Sequence, residues 1–196
     1  LGKKLDHGEI YISGNKFIPR SSWHSIKNGI AMIPENRRTE GLILDMSVKE
    51  NLTLPILKNL SNIGFLTETK INQVSERIRE RLSIRCFSLR QMVRTLSGGN
   101  QQKVSVGKWF SGKAKVWIFD EPTQGIDVEA KREIYQIMGG LAKNGAAVWF
   151  ISSDLKELVA MSDRIYVMRK GKIVSEHRKP FNETQILRQM LRGDES

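Results

Sequence analysis

Leu96-Ser97-Gly98-Gly99-Asn100-Gln101-Gln102 and, about twenty residues further on, Val116-Trp117-Ile118-Phe119-Asp120-Glu121-Pro122 are the two stretches that decide the fold. In the first, Ser97-Gly98-Gly99 precedes a helical pattern with no β-branched residue in its first turn. Two glycines let backbone N–H groups come close to an anion, and the helix N-terminus adds free N–H groups and the positive end of its dipole. Ser97 can donate its hydroxyl hydrogen to a phosphate oxygen. Taken alone, Ser97-Gly98-Gly99 also fits an ordinary serine N-cap beside a flexible turn. The whole string to Gln102, followed by Lys103-Val104, is much more specific. In the second stretch, Val116 to Phe119 is too apolar for an exposed strand. It delivers Asp120 and Glu121 to the carboxyl end of the strand, where open α/β sheets bind ligands. An Asp there suits Mg²⁺ held through hard oxygen, and the next Glu suits orienting or deprotonating an attacking water. Each pair alone also fits a solvated acidic strand end.

Working outward, Gly8 to Asn15 predicts a short strand and a Gly14-Asn15 hairpin turn. Gly29-Ile30-Ala31-Met32-Ile33 is an apolar run stopped by Pro34, a buried strand. Residues 36–96 are polar, helix-forming and punctuated. Ile71, Val74, Ile78 and Leu82 recur at helical spacing within 70–84, with Arg77, Arg79, Glu80 and Arg81 on other faces. These residues read as a helical subdomain inserted between strands. Downstream, helix is predicted over 99–110, 127–141 and 155–161. Strand is predicted over 116–119, 146–151, 164–168 and 172–176, and the second of these reads as buried. A last helix covers about 182–191 with Asn182 as N-cap. The alternation implies an α/β fold with a largely parallel, covered sheet.

The bulk numbers bound the reading. With 196 residues, 39% of them hydrophobic, the chain can bury a core and fits one domain with a subdomain. The net charge of +11 and pI near 9.9 leave nucleic acid, a membrane surface and nucleotide phosphates open as partners. Lys3, Lys4, Arg37, Arg38, Arg77, Arg79, Arg81, Lys170 and Lys172 are spread along the chain, and they read mostly as solvated faces. Cys86 is the one cysteine, which excludes an internal disulfide and a cysteine metal cluster. No stretch approaches the ~18 apolar residues of a membrane span, and Leu1-Gly2-Lys3-Lys4-Leu5-Asp6 has no apolar signal core. A cytoplasmic protein is expected, with any membrane spanning done by a partner. The chain opens on Leu1 and reads as a fragment of something already under way.

The segment from Leu96 to Asp127, with Thr123-Gln124-Gly125-Ile126-Asp127 after the acidic pair, resembles the signature, Walker B and D-loop of ATP-binding cassette (ABC) nucleotide-binding domains. Nearly the whole chain fits. Gly8-Glu9-Ile10 resembles the family's early antiparallel strand, residues 36–96 its helical subdomain and 164–176 its terminal strand hairpin. Within the family, Ile33-Pro34-Glu35-Asn36-Arg37-Arg38, Glu40-Gly41-Leu42, Met46 to Leu52, Gly125-Ile126-Asp127-Val128 and Ile151-Ser152-Ser153-Asp154-Leu155 resemble the second cassette of monosaccharide importers of the ribose, galactose, xylose and autoinducer-2 type.

The resemblance implies a partial P-loop NTPase-like domain over 1–196, with 36–96 inserted in the α/β core and a small antiparallel β part. It implies ATP and Mg²⁺ as cofactors, and ATP hydrolysis coupled to carbohydrate uptake. The implied partners are a first cassette, membrane permease subunits and, through them, a periplasmic sugar-binding protein, with no nucleic acid. The location would be the cytoplasmic face of the membrane, with residues near 35–60 facing the permease. The implied site residues are Glu121 and Ser153 for catalysis; Ser97, Gly98, Gly99, Asn100, Gln101 and Asp127 for the nucleotide; and Asp120 and Glu35 for metal.

The pattern departs in three places. No Gly-x-x-x-x-Gly-Lys-Ser/Thr (Walker A) is present. Gly107 to Ala114 is a near miss, with Ala114 where the Mg²⁺-binding hydroxyl belongs and a helix before it rather than a strand. Glu35 stands where most cassettes carry the Q-loop Gln. Ser153 stands where the switch-loop His contacts the γ-phosphate; a serine can still donate a hydrogen bond but carries no charge. The expectation is a degenerate site at Glu121 and an intact signature that acts in trans on a partner cassette. Two alternatives stay open: a non-catalytic regulatory or interaction fragment, and an ABC ATPase of DNA repair or translation. The latter usually carries a coiled-coil or zinc insertion, and the short span from Glu35 to Leu96 holds neither.

Overall fold

The computed structural model describes residues 7–57, 61–62, 65–66, 68–112 and 114–191. The chain divides into two units, one ending at Trp149 and the other beginning at Phe150.

The first unit opens with the hairpin β1 (Ile10–Ile12) and β2 (Asn15–Phe17), in antiparallel register from Ile10↔Phe17 to Ile12↔Asn15. The turn is Ser13-Gly14, one residue earlier than the sequence predicts. A two-residue loop of this kind needs left-handed backbone at both positions, and Ser13 and Gly14 have φ of 50° and 79°. Asn15 is thereby released to pair with Ile12. Helix α1 (Ser22–Lys27), capped by Ser21, has no counterpart in the sequence pattern, because six residues carry too little periodicity.

Strand β3 (Ile30–Ile33) ends at Pro34 as predicted. After a π-helical turn over Arg37–Gly41 comes α2 (Val48–Thr53). A capping box fixes its start: the Ser47 hydroxyl accepts from the Glu50 N–H, and the Glu50 carboxylate accepts from the Ser47 N–H. Buried Asn51 ties the preceding loop to this helix, since its amide exchanges hydrogen bonds with Ile43 N–H and C=O at 2.9 Å each. A small antiparallel pair, β4 (Ser61–Asn62) and β5 (Phe65–Leu66), follows within the segment read as helical.

Helix α3 (Glu68–Arg81) stops short of the predicted Ile84. Ser83 turns left-handed at φ 49°, and the N–H groups of Ser83 and Ile84 reach back to the carbonyls of Glu80 and Arg79. That is a Schellman ending with serine in the glycine position. The predicted stripe is nevertheless the packed one. Ile78, Leu82 and Ile84 join Val48, Leu52, Val93 and Val104 in one core, with Val74 against its edge.

Helix α4 (Gly98–Gly107) runs through this core, and Gly99 and every residue from Gln101 to Gly107 is buried. Its end explains the P-loop near miss. A Cβ on Gly107 would stand 2.8 Å from Leu52 and 3.0 Å from Ile78, so this glycine serves helix packing. Lys108 turns inward to the Gly41 carbonyl, and burial pushes its ammonium down to about 8.

Strand β6 (Val116–Asp120) pairs in parallel with β3, from Ile30↔Val116 to Ile33↔Phe119. Helix α5 (Val128–Lys143) leads to β7 (Ala147–Ile151), and the sheet order is β3-β6-β7. Strand β7 is not buried as predicted. Its residues alternate, and Trp149 is 60% exposed, as an edge strand with one uncovered face allows.

The second unit carries α6 (Leu155–Met161), the antiparallel hairpin β8 (Arg164–Arg169) and β9 (Lys172–Arg178), and α7 (Glu183–Leu191). The β8–β9 turn, Lys170-Gly171, again takes positive φ at both residues (46° and 76°). Asn182 caps α7 through the Gln185 N–H at 3.0 Å. Ile186 packs on Ile165 and Val167 to make this unit's core. Among the described residues no helix is long and apolar enough to cross a membrane.

Replacing Ser47 by Ala removes the hydroxyl half of the capping box over a closed core and leaves the backbone N–H to Glu50 half in place. It should cost about 1 kcal/mol of stability, read as a lower urea midpoint with an unchanged slope.

Candidate functional site

The parallel register brings two strand ends to one edge of the sheet. Ile33 pairs with Phe119, so Glu35 and Asp120 leave β3 and β6 on the same side. Asp120 is half-buried, and its carboxyl is pushed above the usual carboxylate range by burial first, then by the negative fields of Glu35, Glu121 and Glu40. Glu121 follows in left-handed backbone, φ 43°. Its carbonyl accepts the Gln124 N–H at 3.1 Å, closing a tight turn over the buried Pro122 and Thr123. The Gln124 side-chain amide donates to Glu35 at 3.4 Å.

Among the described residues no three His, Cys, Asp or Glu side chains converge on a metal position. A facing pair of hard carboxylates under mutual repulsion still fits Mg²⁺. That ion takes one or two protein carboxylates and completes its shell with water and phosphate oxygens.

Ser97 is the exposed N-cap of α4. Its hydroxyl oxygen accepts from the Asn100 backbone N–H at 3.4 Å and side-chain amide at 2.9 Å. Asn100 in turn accepts from the Arg85 N–H at 2.8 Å, fastening the helix start to the loop after α3. Both glycines sit in close packing, and at Gly99 the packing requires one. A Cβ on Gly98 would lie 2.9 Å from Arg37 Nη2 and 3.2 Å from the Gly125 carbonyl, and one on Gly99 would lie 2.5 Å from Ala130 Cβ. Gln101 points into the core, where its amide donates to the Val93 carbonyl at 3.2 Å. Asp127 caps α5 by accepting the Ala130 N–H at 2.9 Å. Ala130 therefore joins the two motifs, bonded to Asp127 on one side and touching Gly99 on the other.

Ser153 belongs to the second unit, exposed in the turn before α6. The neighbouring Ser152 hydroxyl donates to Glu157 at 3.2 Å and accepts the Asp154 N–H at 3.1 Å.

One residue at the site escapes the sequence pattern. Arg37 reads as a solvated basic residue, yet it is half-buried and donates from Nη1 to the Gln124 carbonyl at 2.9 Å and from Nη2 to the Gly125 carbonyl at 3.2 Å. Burial, and Arg38 beside it, disfavour its charged form. Its partners lie almost ninety residues away and are backbone atoms, so neither periodicity nor residue type announces them.

Two outcomes follow from this geometry. Gly99→Ala forces α4 off α5 and should cost about 1–3 kcal/mol. Pairing it with Ala130→Gly should recover most of that loss in urea denaturation. For Asp120, the folded state holds its proton more tightly than the unfolded state, so ionising it costs stability as pH rises through the raised value. Asp120→Asn should therefore melt at a higher temperature than the parent at pH 7, and the gain should vanish below about pH 4, the ordinary carboxylate range.

The family model described as ABC transporter matches residues 2–124. The ribose import ATP-binding protein RbsA of Geobacillus kaustophilus is 47% identical over 171 residues, covering 87% of this chain and 35% of that protein. Its namesake in Bacillus subtilis is 42% identical over 185 residues, covering 94% and 38%. The chain thus spans little more than a third of the length of these relatives. Among solved structures, a nucleotide-free ATP-binding cassette from an ABC transporter superposes with a TM-score of 0.77 at 20% identity, over 96% of this chain and 75% of that one. A dimeric post-hydrolysis cassette bound to ADP and Pi superposes with a TM-score of 0.74 at 19% identity, over 90% and 75%. The fold is therefore that of an ABC cassette, and the chain belongs to the ABC transporter family.

Proposed function

We propose that this chain is part of the ATP-binding subunit of a sugar-import ABC transporter, and that it donates its signature motif to the ATP site of a partner cassette. The observation that carries the proposal is the pairing of an exposed Ser97 at the start of a rigidly buried helix with a carboxylate edge at Asp120 in the same unit. Kinship with ribose import ATP-binding proteins supports the transport setting. It also supports a permease partner and a place on the cytoplasmic face of the membrane.

In this reading Ser97, Gly98 and Asn100 present hydroxyl, backbone and amide donors to the γ-phosphate of ATP held by the partner, with Gly99 and Gln101 fixing the helix behind them. Asp127 orients the adjoining turn toward the same interface. At the chain's own edge Asp120 and Glu35 would hold Mg²⁺, which when bound neutralises phosphate charge. Glu121 orients or deprotonates water. Ser153, in the second unit, is an uncharged donor where the family usually carries charge. Phosphoryl transfer depends mainly on positioning and electrostatic stabilisation, so a half-site that only positions donors still contributes. The facing first cassette and a sugar-binding protein complete the assembly.

The decisive variant is Ser97→Arg in the assembled transporter. It should lower ATP hydrolysis by about 100-fold or more, the scale of losing preorganised donors to developing charge. Unchanged hydrolysis overturns the proposal. By calorimetry, this chain alone should show no MgATP binding tighter than about ten micromolar (roughly −7 kcal/mol).

A further inference from the structure

We infer that Arg37 is a positioning residue that clips the turn after Glu121 to the start of the signature helix, so that both present one rigid face to the partner. The inference rests on the proposed donation of the signature in trans.

Three observations carry it. The guanidinium spans two consecutive carbonyls, Gln124 at 2.9 Å and Gly125 at 3.2 Å, a fork that a single ammonium cannot reproduce. The same group lies against Gly98, where a Cβ would stand 2.9 Å from Nη2 and 3.2 Å from the Gly125 carbonyl. Finally, Arg37 Nε is buried with no hydrogen-bond partner among the described residues. A guanidinium that gives up hydration without recovering all its bonds contributes geometry more than stability.

The turn it grips needs such a grip. Gln124 also bonds Glu35, and the segment leads through Gly125 and Ile126 to the cap Asp127. Without the fork, this exposed turn would keep its strained start at Glu121 and lose its tie to Gly98. Arg37 emerges from a π-helical turn capped by Asn36, whose side chain accepts the Arg38 and Thr39 N–H groups. The clip thereby runs from the end of β3 to the signature and to the turn after β6 within one unit.

The test uses the full-length polypeptide containing this chain, assembled with its permease, carrying Arg37→Met, Arg37→Lys or Ser97→Arg. Hydrogen exchange at the amides of Gln124 to Ile126 reads the clip, and steady-state hydrolysis reads its consequence. Arg37→Met should raise exchange there by about tenfold or more, leave exchange in the α2–α3 core unchanged, and lower kcat by about tenfold to a hundredfold with KM for ATP within about twofold. Arg37→Lys should behave like Arg37→Met, because the charge remains and the fork is gone. Unchanged exchange in Arg37→Met, raised exchange with full kcat, or rescue by Lys each overturns the inference. Full hydrolysis in Ser97→Arg instead overturns the signature reading beneath it, whatever the exchange shows.

Discussion

A helix that begins at an exposed serine and is buried along nearly all its remaining length is the constraint on which this molecule depends. Helix α4 touches the α2–α3 core, α5 and the π-helical turn over Arg37–Gly41, so its position fixes theirs. The Lys103 ammonium makes the arrangement specific. It is 2% exposed and donates to the Ser83 carbonyl at 2.7 Å while pairing with Glu133 at 2.9 Å. A buried charge with both partners in place is tolerated, and loss of one partner costs about 3–5 kcal/mol. Any rotation of α4 about its axis breaks one of those contacts. The exposed Ser97 is thus held by a helix that cannot easily turn, which is what a donor aimed at another molecule requires.

The charge distribution separates global from local effects. A net charge of +11 favours encounter with phosphate, but the sheet edge where chemistry is read carries Glu35, Glu40, Asp120 and Glu121. In the half-buried Asp120 their mutual repulsion adds to burial, the larger cause, in raising the carboxyl's pKa. A divalent cation bound with phosphate is the kind of partner that relieves it.

Legibility from sequence followed physical range. The strand ending at Pro34, the strand delivering Asp120, the stripe Val74-Ile78-Leu82 and the cap at Asn182 were readable, because each is written in neighbouring residues. The end of α3 was not, because a serine in left-handed backbone at Ser83 replaces the glycine that would mark it. Exposure of β7 was not either, since an apolar run looks the same on an edge as in the middle of a sheet. At the site, Gly98 and Gly99 read as residues that let backbone N–H groups approach an anion, and the structure also packs them closely within the protein. What they approach (Arg37, Gly125 and Ala130) is fixed by tertiary packing between segments distant in sequence. Gln101, read beside Ser97 as one motif, is buried instead, and its amide donates to the Val93 carbonyl, a partner that local spacing does not announce.

Glu121 gathers these threads. A non-glycine residue at φ 43° is unfavourable, and the proline that follows restricts it further. Such strain is of the order of 1–3 kcal/mol and persists only where the surroundings over-determine it. Here they do so from both directions. Upstream, β6 is locked in register with β3 through Phe119. Downstream, Thr123 is buried, Gln124 bonds back to the Glu121 carbonyl, and Arg37 holds the next two carbonyls. The backbone at Glu121 is therefore set by the same contacts that set helix α4 against the turn. A structure built this way cannot move Glu121 without disturbing the face that carries Gly98. This mechanical link joins the chain's acidic edge to the start of helix α4.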